Sequence, residues 1–170
     1  NTFNLSTEET DWIQAEGVFH TSENLEPIIS RADLILTSMG ATQLQSWAEY
    51  ILAPLCKRLE TGAIDLILAE NHPRPALAVR QALMQYASNQ QSSLISERLG
   101  IAQAQVLRSC IEPTDTQHPL TIQIQDHWIL PLDGDALKTD FSIQGFQKMP
   151  DFERELTRKL FTYNCVNAMV

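Results

Sequence analysis

Residues 32–36 read Ala-Asp-Leu-Ile-Leu, and residues 64–68 read Ile-Asp-Leu-Ile-Leu. These two short apolar runs are separated by a helix-patterned stretch from about Gln43 to Glu60, which ends at Gly62. Apolar runs of this length are typical of strands that are buried on both faces of a parallel sheet. The stretch therefore predicts a β-α-β unit, and the chain is expected to have an α/β fold.

The sequence after this unit predicts one more helix and several strands. A helix is expected from about Pro75 to Gln90, because proline suits the first turn of a helix and apolar residues follow at helical spacing. The polar stretch Ser88 to Ser96 is predicted to be a surface connection. Three segments are predicted to be strands, of which the last two pair side by side before a turn at Asp133-Gly134: Ala104–Arg108, Leu120–Gln125 and Trp128–Leu132.

The C-terminal residues carry polar groups on a predicted helix. Pro150-Asp151, followed by acidic residues, predicts a long helix that runs to Val170. At about 100° per residue, its apolar side chains share one stripe; Asn167 projects from this stripe, and Lys159 and Asn164 border it. Unpaired polar groups at an apolar surface are costly, so these groups need partners. The partners are either solvent and neighbouring backbone, or a ligand.

Polar residues also follow both strands of the β-α-β unit. Thr37-Ser38-Met39-Gly40 follows the first strand, and Glu70-Asn71-His72-Pro73 follows the second. Ligands of open parallel sheets bind at the carboxyl ends of the strands, which makes these segments a candidate site. The alternative is that Gly40 makes a turn and Asn71 caps or turns before a proline.

Composition excludes several classes of function. The net charge is -9 and the 12 Lys and Arg residues are scattered, so no nucleic-acid partner is expected. No apolar run approaches the roughly 20 residues of a membrane span, and the first ten residues lack a signal-peptide core; we expect a cytoplasmic protein with no membrane partner. The three cysteines and four histidines lack disulfide-framework or metal-ligand spacing, so no metal site is predicted.

Four blocks of the sequence follow a known family pattern: residues 32–40, residues 67–71, residues 106–113 and residues 158–164. In these blocks the chain resembles the polyol-specific long-chain dehydrogenases, the mannitol dehydrogenase family. The last block resembles the family signature Lys-x4-Asn-x2-His. The resemblance implies a partial Rossmann-like, dinucleotide-binding fold. It also implies that NAD is the cofactor and that the substrate is a small polyol or polyol phosphate, oxidised at a secondary alcohol.

The resemblance also implies roles for individual residues. Lys159 is the expected general base, and Asn164 and Asn71 are expected to donate hydrogen bonds to the developing alkoxide. Arg108 and Asn167 are implied in substrate binding. The residues implied in cofactor binding are Thr37, Ser38, Met39, Gly40 and Glu70. Oxidation of an alcohol requires a base for the hydroxyl proton, and neutral amides can stabilise an alkoxide without competing for that proton.

The sequence departs from the family pattern in three ways. No Gly-x-Gly-x-x-Gly loop is present, Asn167 replaces the signature histidine, and Leu107 replaces an aspartate. A first residue other than methionine and a predicted C-terminal helix without a cap at Val170 favour a fragment, and the missing glycine loop predicts that it is inactive alone. Residues 1–149 would be a partial NAD-binding domain that lacks its first β-α units, and residues 150–170 the first helix of a helical substrate domain. The alternative is a degenerate, non-catalytic binding or assembly module; the oligomeric state stays open.

Overall fold

The structure is a computed structural model that describes residues 24–107, 110–111, 123–124 and 128–159. The chain divides into two compact units, one formed by residues 1–24 and 107–128 and the other by residues 25–106 and 129–170. In the first unit, the described elements are two short strands that pair in antiparallel fashion. The second unit contains the parallel sheet, its covering helices and a second pair of strands.

The described helices, turns and strands follow one another in this order along the chain. They are α1 (Glu26–Ile29), β1 (Leu34–Thr37), a 3-10 turn (Ala41–Gln43), α2 (Leu44–Thr61), β2 (Ile64–Leu68), α3 (Pro75–Tyr86), α4 (Asn89–Arg98), β3 (Leu99–Gln103), β4 (Cys110–Ile111), β5 (Gln123–Ile124), β6 (Leu130–Asp133), β7 (Phe146–Met149) and α5 (Phe152–Lys159). Among the described residues, no helix is both long enough and apolar enough to cross a membrane.

The main sheet is parallel, with the strand order β1-β2-β3. All five residues of the central strand β2 are buried, which explains why its sequence is apolar almost throughout. Helix α2 crosses between β1 and β2 and buries one face, including Leu44, Ile51 and Leu55, in the core. The predicted β-α-β unit and the α/β class are therefore confirmed, with α2 ending next to Gly62 as expected.

The prediction of a surface connection at Ser88–Ser96 was wrong, because helix α4 occupies most of this stretch. The helix starts with a capping box, in which the Ser88 hydroxyl accepts from the Gln91 amide and the Gln91 side chain accepts from the Ser88 amide. Only Ile95 is buried, so the helix carries almost no apolar period. The preceding helix correspondingly stops at Tyr86 rather than Gln90.

The strand predicted at Ala104–Arg108 was also misplaced. Strand β3 is Leu99–Gln103, and it begins directly after the last residue of α4, without a connecting loop. Gly100 lies within this strand, and a glycine weakens the sequence signal of a strand. As a consequence, Gln103 and Gln105 lie at the carboxyl end of β3 and not in the first half of a strand.

The second pair of strands also differs from the prediction. Strand β6 pairs in parallel with β7, whereas the sequence predicted pairing with the segment Leu120–Gln125. Burial of the residues along strand β7 does not alternate regularly, and this strand was not predicted. Helix α5 begins at Phe152, as expected from Pro150-Asp151, and the rest of the predicted helix lies outside the described residues.

A buried carboxylate in β2 fixes the connection between β6 and β7. Asp65 is fully buried and accepts hydrogen bonds from the backbone amides of Lys138, at 2.7 Å, and Thr139, at 3.0 Å, and from the Thr139 hydroxyl. Gly100 is the register partner of Asp65 on β3. The absence of a side chain at Gly100 leaves the space that the carboxylate and the connection occupy.

Candidate functional site

The two predicted strand-end segments meet in the structure. Glu70, which follows β2, is buried, and its carboxylate accepts hydrogen bonds from the backbone amides of Met39, at 3.0 Å, and Gly40, at 2.9 Å. The φ angle of Gly40 is +95°, a conformation that favours glycine. The carboxylate thus holds the turn after β1 in place by two charge-assisted hydrogen bonds.

Thr37 and Ser38 precede this turn and differ in burial. Thr37 is buried, and its carbonyl accepts from the Ala69 amide at 2.9 Å, whereas Ser38 is exposed. The Thr37 hydroxyl is fully enclosed and has no hydrogen-bond partner in the described part of the chain. Buried hydroxyls are normally satisfied, so this group is an exception among the described residues.

A cleft of about 870 Å³ opens at the carboxyl ends of β2 and β3. Its volume is in the range of small-molecule and cofactor sites. Residues from the two strand ends, the start of α3, strand β6 and helix α5 line the cleft: Glu70, Asn71, His72, Pro73, Arg74, Ala76, Leu77, Gln103, Ala104, Gln105, Asp133, Phe152, Glu153, Leu156 and Thr157. Across the described ranges, no group of three or more His, Cys, Asp or Glu residues could hold a metal ion.

The segment between β2 and α3 supplies an amide and two basic groups to the cleft. Asn71 is exposed at the cleft surface, immediately after the buried Glu70. The His72 amide donates to the Glu70 carbonyl at 2.9 Å, and the Arg74 amide donates to His72 Nδ1 at 3.0 Å. These bonds shape a tight turn that directs Asn71 and Arg74 to the same cleft.

An acidic group of β6 faces the cleft from another element. Burial raises the pKa of Asp133, and the neighbouring carboxylates of Asp135 and Glu153 raise it further. Hydrogen bonds from the backbone amides of Ala136 and Asp135 act in the opposite direction. The charged form of Asp133 is therefore disfavoured in the folded protein.

An Asp133→Asn variant should show a pH-dependent gain in stability. The pKa of Asp133 is higher in the folded than in the unfolded protein. Ionisation of Asp133 therefore does not lower the free energy of unfolding at a pH below the unfolded pKa. It lowers this free energy increasingly as pH rises from the unfolded pKa through the folded pKa. The urea midpoint of the variant should exceed that of the wild type at about pH 7 and match it at about pH 3. Asp33→Asn, at an exposed position, is the control. An equal gain at both pH values would contradict this explanation.

Two glutamines that the sequence did not single out lie at the end of β3. Gln103 and Gln105 are both buried and both line the cleft. Gln103 Nε2 donates a long hydrogen bond of 3.5 Å to the His72 carbonyl. The apolar run Leu99–Ala102 was the signal that could have located this strand end, since it places Gln103 and Gln105 at the edge where ligands bind.

The structure places the predicted residues as follows. Met39, Gly40 and Glu70 are joined by hydrogen bonds, and Asn71 lines the cleft. Lys159 is the last described residue of α5, and its side chain is outside the description; Glu153, Leu156 and Thr157 of the same helix line the cleft. The remaining predicted site residues lie outside the described residues: Arg108, Asn164 and Asn167.

The two hydrogen bonds from the Met39 and Gly40 amides to the Glu70 carboxylate are called the Glu70 clamp. A Glu70→Gln substitution tests it. The amide keeps one acceptor but directs its NH₂ group at a backbone N–H, so one hydrogen bond is lost and one buried donor is unpaired. We expect the free energy of unfolding to fall by about 1–3 kcal/mol, measured by urea denaturation. Glu49→Gln, on the exposed face of α2, is the matched control and should be near neutral. Equal stability of both variants would contradict the clamp.

Comparison with known proteins identifies similar chains. The family model described as the mannitol dehydrogenase Rossmann domain matches residues 5–141. The mannitol-1-phosphate 5-dehydrogenase of Clostridium acetobutylicum is 26% identical over 151 residues, which cover 86% of this chain and 39% of that protein. The enzymes of that name from Anoxybacillus flavithermus and Lactococcus lactis are 25% and 26% identical and cover 96% and 93% of this chain. The chain spans about two fifths of the length of these curated relatives.

Proposed function

Because this chain belongs to the mannitol dehydrogenase family, we propose that it forms part of an NAD-dependent oxidoreductase acting on a polyol phosphate of the mannitol 1-phosphate type. The observation that supports this most strongly is the cleft at the carboxyl ends of β2 and β3. Asn71 lines it beside the Glu70 clamp, where an open parallel sheet binds its ligand.

The cofactor site of this proposal is built from the end of β1. The turn after β1 fits a dinucleotide site, because it lies at the carboxyl end of a parallel strand and two hydrogen bonds to Glu70 hold its backbone in place. Thr37, Ser38, Met39 and Gly40 would contact the cofactor, and Glu70 would act mainly by fixing the backbone of Met39 and Gly40. The nicotinamide, when bound, supplies the hydride acceptor.

In this proposal, the residues that act on the reacting hydroxyl of the substrate are Lys159, Asn164 and Asn71. Lys159 takes the proton from the reacting hydroxyl, and the two asparagine amides donate to the oxygen as negative charge develops. At helical spacing, position 159 shares a face of α5 with Leu156, which lines the cleft. Arg108 and Asn167 complete the proposed substrate contacts.

We further propose that these 170 residues do not turn over substrate by themselves. They contain no Gly-x-Gly-x-x-Gly loop, whose backbone amides hold the pyrophosphate in dinucleotide sites. Residues 1–149 would then be a partial NAD-binding domain, and residues 150–170 the first helix of a helical substrate domain.

A second candidate function is a non-catalytic binding or assembly module. It is favoured by Asn167 and Leu107, which stand where the family pattern has a histidine and an aspartate. Calorimetric titration of the intact natural protein with NADH separates the two functions. The dehydrogenase proposal requires saturable binding, whereas the module requires none.

A further inference from the structure

The end of strand β3 brings two buried carboxamides to the cleft. Gln105 is 5% exposed and Gln103 is 8% exposed. Gln103 is the last residue of β3, Gln105 follows two residues later, and both line the same cleft. The backbone here is firmly held: the Gln105 amide donates to the Pro131 carbonyl at 2.8 Å, and the Ala104 amide donates to the Leu68 carbonyl at 2.9 Å.

The Gln105 carboxamide has no hydrogen-bond partner in the part of the chain that the structure describes. A carboxamide has two donor hydrogens and an acceptor oxygen, and leaving them unpaired in a buried position is costly. In the described part, the Thr37 hydroxyl is the only unpartnered side-chain N or O atom that is fully enclosed. The Gln105 amide atoms must therefore keep a small accessible surface, and Gln105 lines the cleft.

Gln103 presents a similar but partly used group. Its Nε2 atom reaches the His72 carbonyl at 3.5 Å, at the long limit for a hydrogen bond. Its other hydrogen-bonding positions have no partner among the described residues. Two neutral amides with free donors and acceptors thus lie one strand away from Asn71, in the same cleft.

The chemistry of these groups indicates the class of ligand. A carboxamide is neutral and both donates and accepts, which matches an alcohol hydroxyl, itself a donor and an acceptor. A phosphate would be better matched by a cation, and an ammonium group by a carboxylate. We propose that Gln105, assisted by Gln103, binds hydroxyl groups of the polyol chain and so contributes to substrate specificity. This inference rests on the proposed dehydrogenase function.

The test is a Gln105→Met variant of the intact natural protein, which keeps the side-chain length and removes the amide. The Kd for mannitol 1-phosphate, measured by calorimetry, should rise about tenfold or more, as expected for loss of at least one hydrogen bond. The Kd for NADH should not change. The Tm should stay equal or rise, because the variant no longer buries an unpartnered amide. Gln81→Met, at an exposed position of α3, is the matched control and should change none of these values.

The other outcomes are distinct. If Gln105→Met lowers the Tm or fails to fold, the amide stabilises the free protein and the inference is overturned. It is also overturned if polyol affinity stays unchanged, or if only NADH affinity falls; in both cases the dehydrogenase function stands. If the wild type itself binds no mannitol 1-phosphate, the proposed function fails, and this inference fails with it.

Discussion

A Gly100→Ala substitution is expected to lower the free energy of unfolding by several kcal/mol, on the order of 3 kcal/mol or more. An alanine Cβ at this position would lie 1.8 Å from Asp65 Oδ1, 2.9 Å from the Lys138 amide nitrogen and 3.0 Å from the Ala136 carbonyl oxygen. Two of these atoms are backbone, so the clash cannot be relieved by a side-chain rotation alone. Moving the carboxylate would break its hydrogen bonds to Lys138 and Thr139.

Urea denaturation measures this loss, and Gly134→Ala is its matched control. A Cβ at Gly134 would lie 3.2 Å from Lys148 Cβ and 3.3 Å from the Met149 carbonyl oxygen, which small shifts can accommodate. The control should therefore lose much less stability than Gly100→Ala. If Gly100→Ala is as stable as the wild type, the close packing of Asp65 against β3 is not present in solution.

A Lys159→Ala substitution in the intact natural protein is expected to lower kcat for polyol oxidation by about 10²–10⁴-fold. The variant lacks the proposed base for the hydroxyl proton, while the cleft and the Glu70 clamp remain. NADH affinity should be unchanged, since Lys159 is proposed to act on the substrate alone. The measurement is steady-state turnover together with calorimetric NADH binding.

Lys57→Ala is the control for loss of a lysine elsewhere in the chain. Lys57 lies on α2, where it forms an exposed ion pair with Glu26, and it does not line the cleft. Exposed ion pairs contribute little to stability, so this variant should keep both its fold and its turnover. Unchanged turnover in Lys159→Ala would remove Lys159 from the proposed catalytic group.

The elements that could be predicted from the sequence are those whose burial produces a continuous or a regularly spaced run of apolar residues. Strand β2 is buried along its whole length, and its apolar run is correspondingly continuous. Helix α2 buries a regular face and ends beside Gly62, so its period and its end were both readable. Local patterns of this kind also located the strand ends at Thr37 and Glu70.

The elements that were missed depend on contacts between distant residues or carry little apolar pattern. Helix α4 buries only Ile95, and its clearest signal was the Ser88–Gln91 capping box. Strand β3 contains Gly100, which is required by the carboxylate of Asp65 on the neighbouring strand. The sequences of β2 and β3, taken separately, do not show that Asp65 requires a glycine at position 100.

In the candidate site too, some features could be predicted from local sequence and others could not. The strand-end position of Glu70 was readable, but its hydrogen bonds to Met39 and Gly40 join residues 31 and 30 positions apart. Gln103 and Gln105 were overlooked because the strand was placed too late in the chain. The roles of Lys159, Asn164, Asn167 and Arg108 remain predictions that rest on the family resemblance.

The proposed dehydrogenase activity is tested most directly by the initial rate of NAD reduction in the presence of mannitol 1-phosphate, measured on the intact natural protein. We expect a rate that saturates with the polyol phosphate and disappears when the polyol phosphate is omitted. No reduction above the enzyme-free rate, at any concentration of mannitol 1-phosphate, would contradict the proposal.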